Sequence, residues 1–197
     1  QAMSEAGNRN VKPNVISYTT TMNCWVNSRG SRMVPHVEAL FRELKRRFVE
    51  CGDRDLKPTQ YTYNALIGAY CRDMKRLDAI NNAIYYFDDM MNQYNSTGDK
   101  DFQPGPMHFS AIMGAFGRRG MAEEAELFLQ RAIEICEQYK KAGGDQLDIG
   151  TSFNALISAY ATSGIAGSAE KAEQTLRRML EVGSEGESFT ALASVVS

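Results

Sequence analysis

Large apolar side chains recur at i, i+4 and i+7 four times along this chain, each time after a short opening of mixed character. The openings are Val15-Ile16-Ser17-Tyr18-Thr19, Gln60-Tyr61-Thr62-Tyr63-Asn64, Pro106-Met107-His108-Phe109-Ser110 and Gly150-Thr151-Ser152-Phe153-Asn154. The triplets are Tyr18, Met22 and Trp25, then Tyr63, Ile67 and Tyr70, then Phe109, Met113 and Phe116, then Phe153, Ile157 and Tyr160. That spacing gathers three large side chains on one helical face. Ala65 and Ala69, Ala111 and Ala115, and Ala155 and Ala159 stand in register beside them, small enough to let another helix come close. A fifth copy begins at Phe189-Thr190. The aromatics lie 45, 46, 44 and 36 residues apart, a period that marks a helical repeat array.

Each triplet helix is followed by a turn and a second apolar stripe, as in Val37, Leu40, Phe41, Leu44 and Phe48. Gly and Pro punctuate the units and predict helix pairs at about 15–27 and 35–51, 60–72 and 77–94, 107–118 and 122–141, and 151–162 and 168–181. Gln1-Ala2-Met3 reads as the end of a helix already under way. No stretch alternates with period two, so no sheet is expected. The fold class is therefore all-α, a right-handed helix-turn-helix repeat solenoid, or α-α superhelix. Its divisions are the tail of a preceding repeat over 1–14, repeats over 15–59, 60–105, 106–149 and 150–185, and the start of a truncated repeat over 186–197. Val195-Val196-Ser197 does not read as the polar cap that ends a stacked array, so the chain is expected to be a fragment. Trp25 is expected to lie buried between the helix layers.

The residues carrying this pattern resemble the pentatricopeptide repeat family. Its pattern is a helix pair of about 35 residues that opens on Val-Thr-Tyr-Asn, has an aromatic seven residues after the Tyr, and closes on a Pro before the next repeat. Lys57-Pro58-Thr59-Gln60-Tyr61-Thr62-Tyr63-Asn64-Ala65-Leu66-Ile67-Gly68-Ala69-Tyr70-Cys71 follows it almost position for position, and Lys12-Pro13-Asn14-Val15-Ile16-Ser17-Tyr18 does as well. Ala83, Phe87 and Met90, and Ala172, Leu176 and Met179, match its second helix. The units here are lengthened to about 45 residues. About seven extra residues stand before Pro58 and before Pro104, close to two helical turns, so the second helix is expected to continue with its buried face in phase. Arg46, Arg47 and Glu50 should then be helical. The third unit is longer still, and Gly143-Gly144 assigns part of its excess to a loop.

The resemblance implies single-stranded RNA binding on the concave face, with one base read per repeat. It carries base reading onto Thr19 with Thr59, Asn64 with Gly105, Ser110 with Ile149, and Asn154 with Glu185. It carries base stacking onto Ile16, Tyr61, Met107 and Thr151, of which the first three suit a flat base. Gly105 and Ile149 offer no side-chain hydrogen bond. The alternatives for these positions are a helix-capping role for Asn64 and Asn154 and core packing for Tyr61. The resemblance further implies a role in organelle RNA processing, stability or translation, in a mitochondrion or plastid. The chain shows no targeting segment.

Composition adds one point in favour of RNA and one against. The formal net charge is −2, low for a nucleic-acid binder. Its distribution is uneven, because residues 15–30, 58–76, 104–120 and 150–167 hold one carboxylate, Asp73, against Arg29, Arg72, Lys75, Arg76, Arg118 and Arg119. Segments 77–103 and 121–149 are each net acidic by about four. Arg72 and Arg118 share one repeat position at the end of a first helix and are the candidate phosphate contacts, although cations favour helix C-termini in any case. A protein-protein interaction scaffold, holding a peptide or helix in the same groove, is the alternative.

Other chemistry is thinly represented. His36 and His108 stand alone near helix starts, and no zinc-protease, nucleophile-elbow or phosphate-loop motif occurs, so neither enzyme activity nor a metal, cofactor or small-molecule substrate is expected. Glu123-Glu124 and Asp88-Asp89 read as a solvated face. Cys24, Cys51, Cys71 and Cys136 lack paired spacing and read as buried reduced thiols of an intracellular protein. No apolar run nears the roughly 18 residues of a membrane span, and no membrane partner is expected.

Overall fold

The computed structural model describes residues 12–28, 30–141 and 149–184, the side chains of 183 and 184 excepted. Among them are eight α-helices and no strand. They are α1 (Val15–Ser28), α2 (Met33–Cys51), α3 (Gln60–Arg72), α4 (Ala79–Thr97), α5 (Pro106–Arg119), α6 (Ala122–Lys141), α7 (Gly150–Ser163) and α8 (Ser168–Ser184). Single 3-10 turns, Arg54–Leu56 and Lys100–Phe102, follow α2 and α4. The fold is an all-α array of helix pairs, as the periodicity predicts. It divides into two compact units, Gln1–His108 and Phe109–Ser197. Of the partial repeats expected over 1–14 and 186–197, all but residues 12–14 lie outside the described residues, as does Gly143-Gly144.

In the first unit α1 pairs with α2, α3 pairs with α4, and α3 also packs on α1 and α2. The core joins Phe41 and Leu44 of α2, Tyr63, Leu66 and Ile67 of α3, and Phe87 and Met90 of α4, all 2% exposed or less. Phe41 meets Tyr63 edge-on at 5.0 Å, and Tyr70 stacks on Tyr86 at 5.7 Å. Arg46, Arg47 and Glu50 lie inside α2, so the added residues do continue the second helix. It ends where Gly52 takes φ +65°, a conformation most side chains resist. Gly98 ends α4 in the same way at φ +66°.

A matching corner follows each stop. Leu56 and Phe102, the last residues of the 3-10 turns, are buried plugs. Lys12 bonds Asp53 at 2.8 Å and Asp55 at 3.0 Å. Lys57, at the same place one period later, bonds Asp101 at 2.7 Å and also Asp99. Each lysine stands just before a proline that leads into a first helix. It thereby ties the start of one helix pair to the start of the next.

The second unit repeats these rules. Phe109, Ile112 and Met113 of α5, Leu129 and Ala132 of α6, and Phe153 and Leu156 of α7 are fully buried. Phe128 tilts against Phe109 and Phe116 at 6.4 and 6.0 Å. At Gly117 a Cβ would lie 3.3 Å from the Ala155 carbonyl oxygen, so a missing side chain lets α5 and α7 touch through their backbones. Thr162 Oγ1 donates to Gly117 O at 3.1 Å across that contact.

Two expectations need correction. Trp25 is half-buried, not enclosed between layers. Met22 and Val26 form the buried line of α1, and at 100° per residue Trp25 falls about 60° off Met22, at the rim. There it stacks on His36 at 3.9 Å. The thiols are not uniformly buried either. Cys71 is buried and Cys136 half-buried, its thiol pushed up to about 11 by that burial, but Cys24 and Cys51 are exposed.

Candidate nucleic-acid interface

Three of the first helices start on one local device. The residue before the aromatic, at the third helical position, turns its side chain back to the chain entering the helix. Ser17 Oγ faces Asn14 N at 3.4 Å, and Asn14 Oδ1 accepts from Ser17 N at 3.0 Å. Thr62 forms a capping box with Thr59, accepting its N–H at 3.3 Å. His108 Nδ1 takes the Gly105 N–H at 3.0 Å. Because that N–H can only donate, Nδ1 accepts, and the proton sits on Nε2, 2.9 Å from Gln60 O. His108 is fully buried, and burial pulls its pKa below the ordinary value. Ser152, in register with these three, is buried with no hydrogen-bond partner for its hydroxyl among the described residues.

Positions two and five flank position three, and their exposure differs from helix to helix. In the first unit Ile16 is 69% and Tyr61 60% exposed, so Tyr61 is not a core residue. Thr19, Thr59 and Asn64 are half-buried. Thr19 Oγ1 lies 3.0 Å from Thr62 Oγ1. Asn64 does not cap its own helix; Thr59 does. Gly105 is buried and Met107, on the first turn of α5, half-buried.

In the second unit Ser110 is half-buried while Thr151 and Asn154 are exposed. Ser110 and Thr151 share a hydrogen bond of 2.7 Å between their hydroxyls. Ile149 is buried at the N-cap of α7. Glu185 lies outside the described residues. The geometry therefore brings Ile16, Tyr61, Thr19 and Asn64 to one accessible pair of helices, and Thr151 with Ser110 and Asn154 to another. It withdraws Gly105 and Ile149.

The cations end the same helices. Arg72 is exposed, and its guanidinium donates to Val26 O and Asn27 Oδ1, each at 3.2 Å, at the C-terminal end of α1. Both acceptors are neutral oxygens. Arg118 is exposed at the end of α5, and Arg119 bonds back to Ala115 O. Lys75 is exposed, while Arg76 pairs with Asp78 at 3.1 Å and holds that carboxyl below its usual range. Arg29 lies outside the described residues. Two acids of the second helices are engaged elsewhere, Asp89 with Lys45 and Tyr63, Glu126 with Arg178 and Tyr160. Among the described residues no acid, cysteine or histidine cluster could hold a metal, and no helix is long and apolar enough to cross a membrane.

The capping role of position three went unread in the sequence. Its signal was present as the in-register set Ser17, Thr62, His108 and Ser152, in which His108 is a member rather than a solitary histidine.

No curated protein matches the chain. Two family descriptions do. "Pentatricopeptide repeat domain" matches residues 2–73, and "PPR repeat" matches residues 61–93, 107–136 and 151–184. Together they cover most of the sequence and both helix-pair units. The chain belongs to the pentatricopeptide repeat family.

Proposed function

We propose that the chain binds single-stranded RNA on its first helices. Repeats of this family are generally RNA-binding. The observation that carries the reading here is the paired exposure of Ile16 and Tyr61, 45 residues apart at one repeat position. Each stands three residues before a polar reading residue, Thr19 or Asn64. A large flat or branched side chain held in solvent beside a hydrogen-bonding one is a base-stacking platform with an edge reader. Arg72, bonded to neutral oxygens among the described residues, supplies charge for the phosphate that passes between them. The proposed repeats are 15–59, 60–105, 106–149 and 150–185. The role is RNA processing, stability or translation in a mitochondrion or plastid, without catalysis by this segment.

Burial of Gly105 and Ile149 favours a second reading, in which the same surface holds a peptide or helix of a protein partner. Selection from a randomised single-stranded RNA pool at low salt, with sequencing of the retained fraction, separates the two. RNA binding predicts retention that weakens steeply with salt. A protein groove predicts no retained RNA, and loss of a protein partner on replacing Tyr61 or Met107.

A further inference from the structure

Both side chains of the first reading pair meet at one buried hydroxyl. Thr62 Oγ1 lies 3.0 Å from Thr19 Oγ1 and 3.3 Å from Thr59 Oγ1, and it accepts the Thr59 N–H at 3.3 Å. Thr62 itself is 0% exposed, so water does not compete for it. A hydroxyl has one proton and two lone pairs. The amide of Thr59 occupies one lone pair, because an N–H can only donate. One proton and one lone pair remain for two neighbouring hydroxyls.

The proton count then constrains the pair. One of Thr19 and Thr59 must donate to Thr62, and the other must accept from it. The donating residue has only lone pairs left to show a ligand. The accepting residue keeps its own proton free. Whichever way the relay runs, the pair keeps one free proton, so it offers a ligand one donor beside one acceptor and never two donors. Two donors would leave Thr62 with a mismatched contact in a buried place, which is unfavourable.

We propose that Thr62 is a specificity-determining positioning residue for the base read by Thr19 and Thr59: it locks their hydroxyls as one donor beside one acceptor, for a base edge with the complementary acceptor–donor pattern. This rests on the RNA reading above. Thr62 touches no base and acts through the two residues that do. Asn64 has no such relay, since its partner position, Gly105, carries no side chain.

The test uses the 197-residue chain and the randomised single-stranded RNA pool. Thr19→Ala first locates the nucleotide whose enrichment depends on the pair. Thr62→Val, nearly the same size, should reduce the base preference at that nucleotide by roughly three- to tenfold, the scale of one hydrogen bond. The salt slope and the preferences at other nucleotides should stay unchanged. Thr62→Ser, which keeps the hydroxyl, should hold the preference within about twofold of the starting chain on the same scale. A merely structural role for Thr62 would instead lower the melting temperature and weaken all RNA sequences alike, and that outcome overturns the proposal. So does a Thr62→Val chain whose preference is intact at the nucleotide that Thr19→Ala alters. If Thr62→Val does not fold, Thr62→Cys, similar in size but a weak hydrogen-bonder, takes its place with the same outcomes. Absence of any RNA retention by the starting chain would overturn the RNA reading and this inference with it, and it is distinguishable because it appears before any variant is made.

Discussion

Tyr63 donates its hydroxyl to Asp89 at 2.7 Å, and the same carboxylate oxygen takes Lys45 at 2.9 Å. One acid of α4 thus serves the first helix of its own pair and the second helix of the pair before. Burial, and after it the neighbouring Asp89 carboxylate, push the Tyr63 hydroxyl well above its ordinary pKa, so it remains a donor at any working pH. Tyr63→Phe should destabilise the chain by about 1 kcal/mol, the net value of one such bond. Urea denaturation followed by helix signal measures it. A loss of several kcal/mol would mean that the ring had repacked.

Trp25 and Phe41 make a contrasting pair. Phe41 is 2% exposed and touches both Tyr63 and Tyr86, so Phe41→Ala should fall in the range of about 3–5 kcal/mol for a core aromatic. Trp25 lies at a rim against His36, and Trp25→Ala should destabilise by less than Phe41→Ala. The two urea midpoints, compared under one condition, decide it. A larger loss at Trp25 would show that it is buried after all.

His108 couples the start of α5 to the start of α3 through a neutral ring. Its folded pKa is lowered, because burial penalises the charged form. The sign follows from that direction. Its contribution is fully present above the ordinary histidine value near 6.5 and is lost as pH falls below it toward the folded pKa. Melting temperature should therefore drop between about pH 7 and pH 5, and His108→Gln should flatten that dependence. A wild-type melting curve that is level across this window would refute the prediction.

Arg72 and Arg118 carry the proposed phosphate contacts. Each contact to a single strand adds about −0.7 to the slope of log affinity against log salt. Replacing both by Ala should flatten the slope by roughly 1–1.5, alike for every RNA sequence. Asn64→Ala should leave the slope alone and alter one nucleotide's preference only. Equal slopes for the double variant and the starting chain would place the phosphate path elsewhere.

Helix bounds were legible because their stops are written in residues with few conformations. Gly52 and Gly98 end second helices, and Pro13, Pro58 and Pro104 stand ahead of first ones. The continuation of α2 through Glu50 could be read from phase, since seven residues return the apolar stripe to its face. Trp25 was misplaced because a stripe of three positions spaced i, i+4, i+7 still spans about 60° of helix, and its edge members can lie at a rim. The inward turn of Thr62 and His108 was invisible for another reason. A polar residue in a helix's first turn reads equally as a cap or as a solvated position, and only the neighbouring backbone decides. Tyr61 is exposed beside a buried Thr62, whereas Ile16 is exposed beside a Ser17 that is itself exposed, so the exposure of position two could not be read from that turn.

The lysine corners restrict how this chain can change length. Lys12 and Lys57 reach aspartates that sit just past the end of a long second helix. One residue inserted between Lys45 and Cys51 would swing the following corner by about 100° and lift it about 1.5 Å. Asp53 and Asp55 would then face away from Lys12, and Leu56 would leave its seat in the core. Seven residues nearly restore the angle but displace the corner along the axis by about 10 Å, which the facing helix must match. Growth of this array by drift is therefore quantised: viable length variants come as near-whole pairs of turns, added to adjacent second helices in step, and single-residue indels there are eliminated by geometry rather than by any loss of a binding residue.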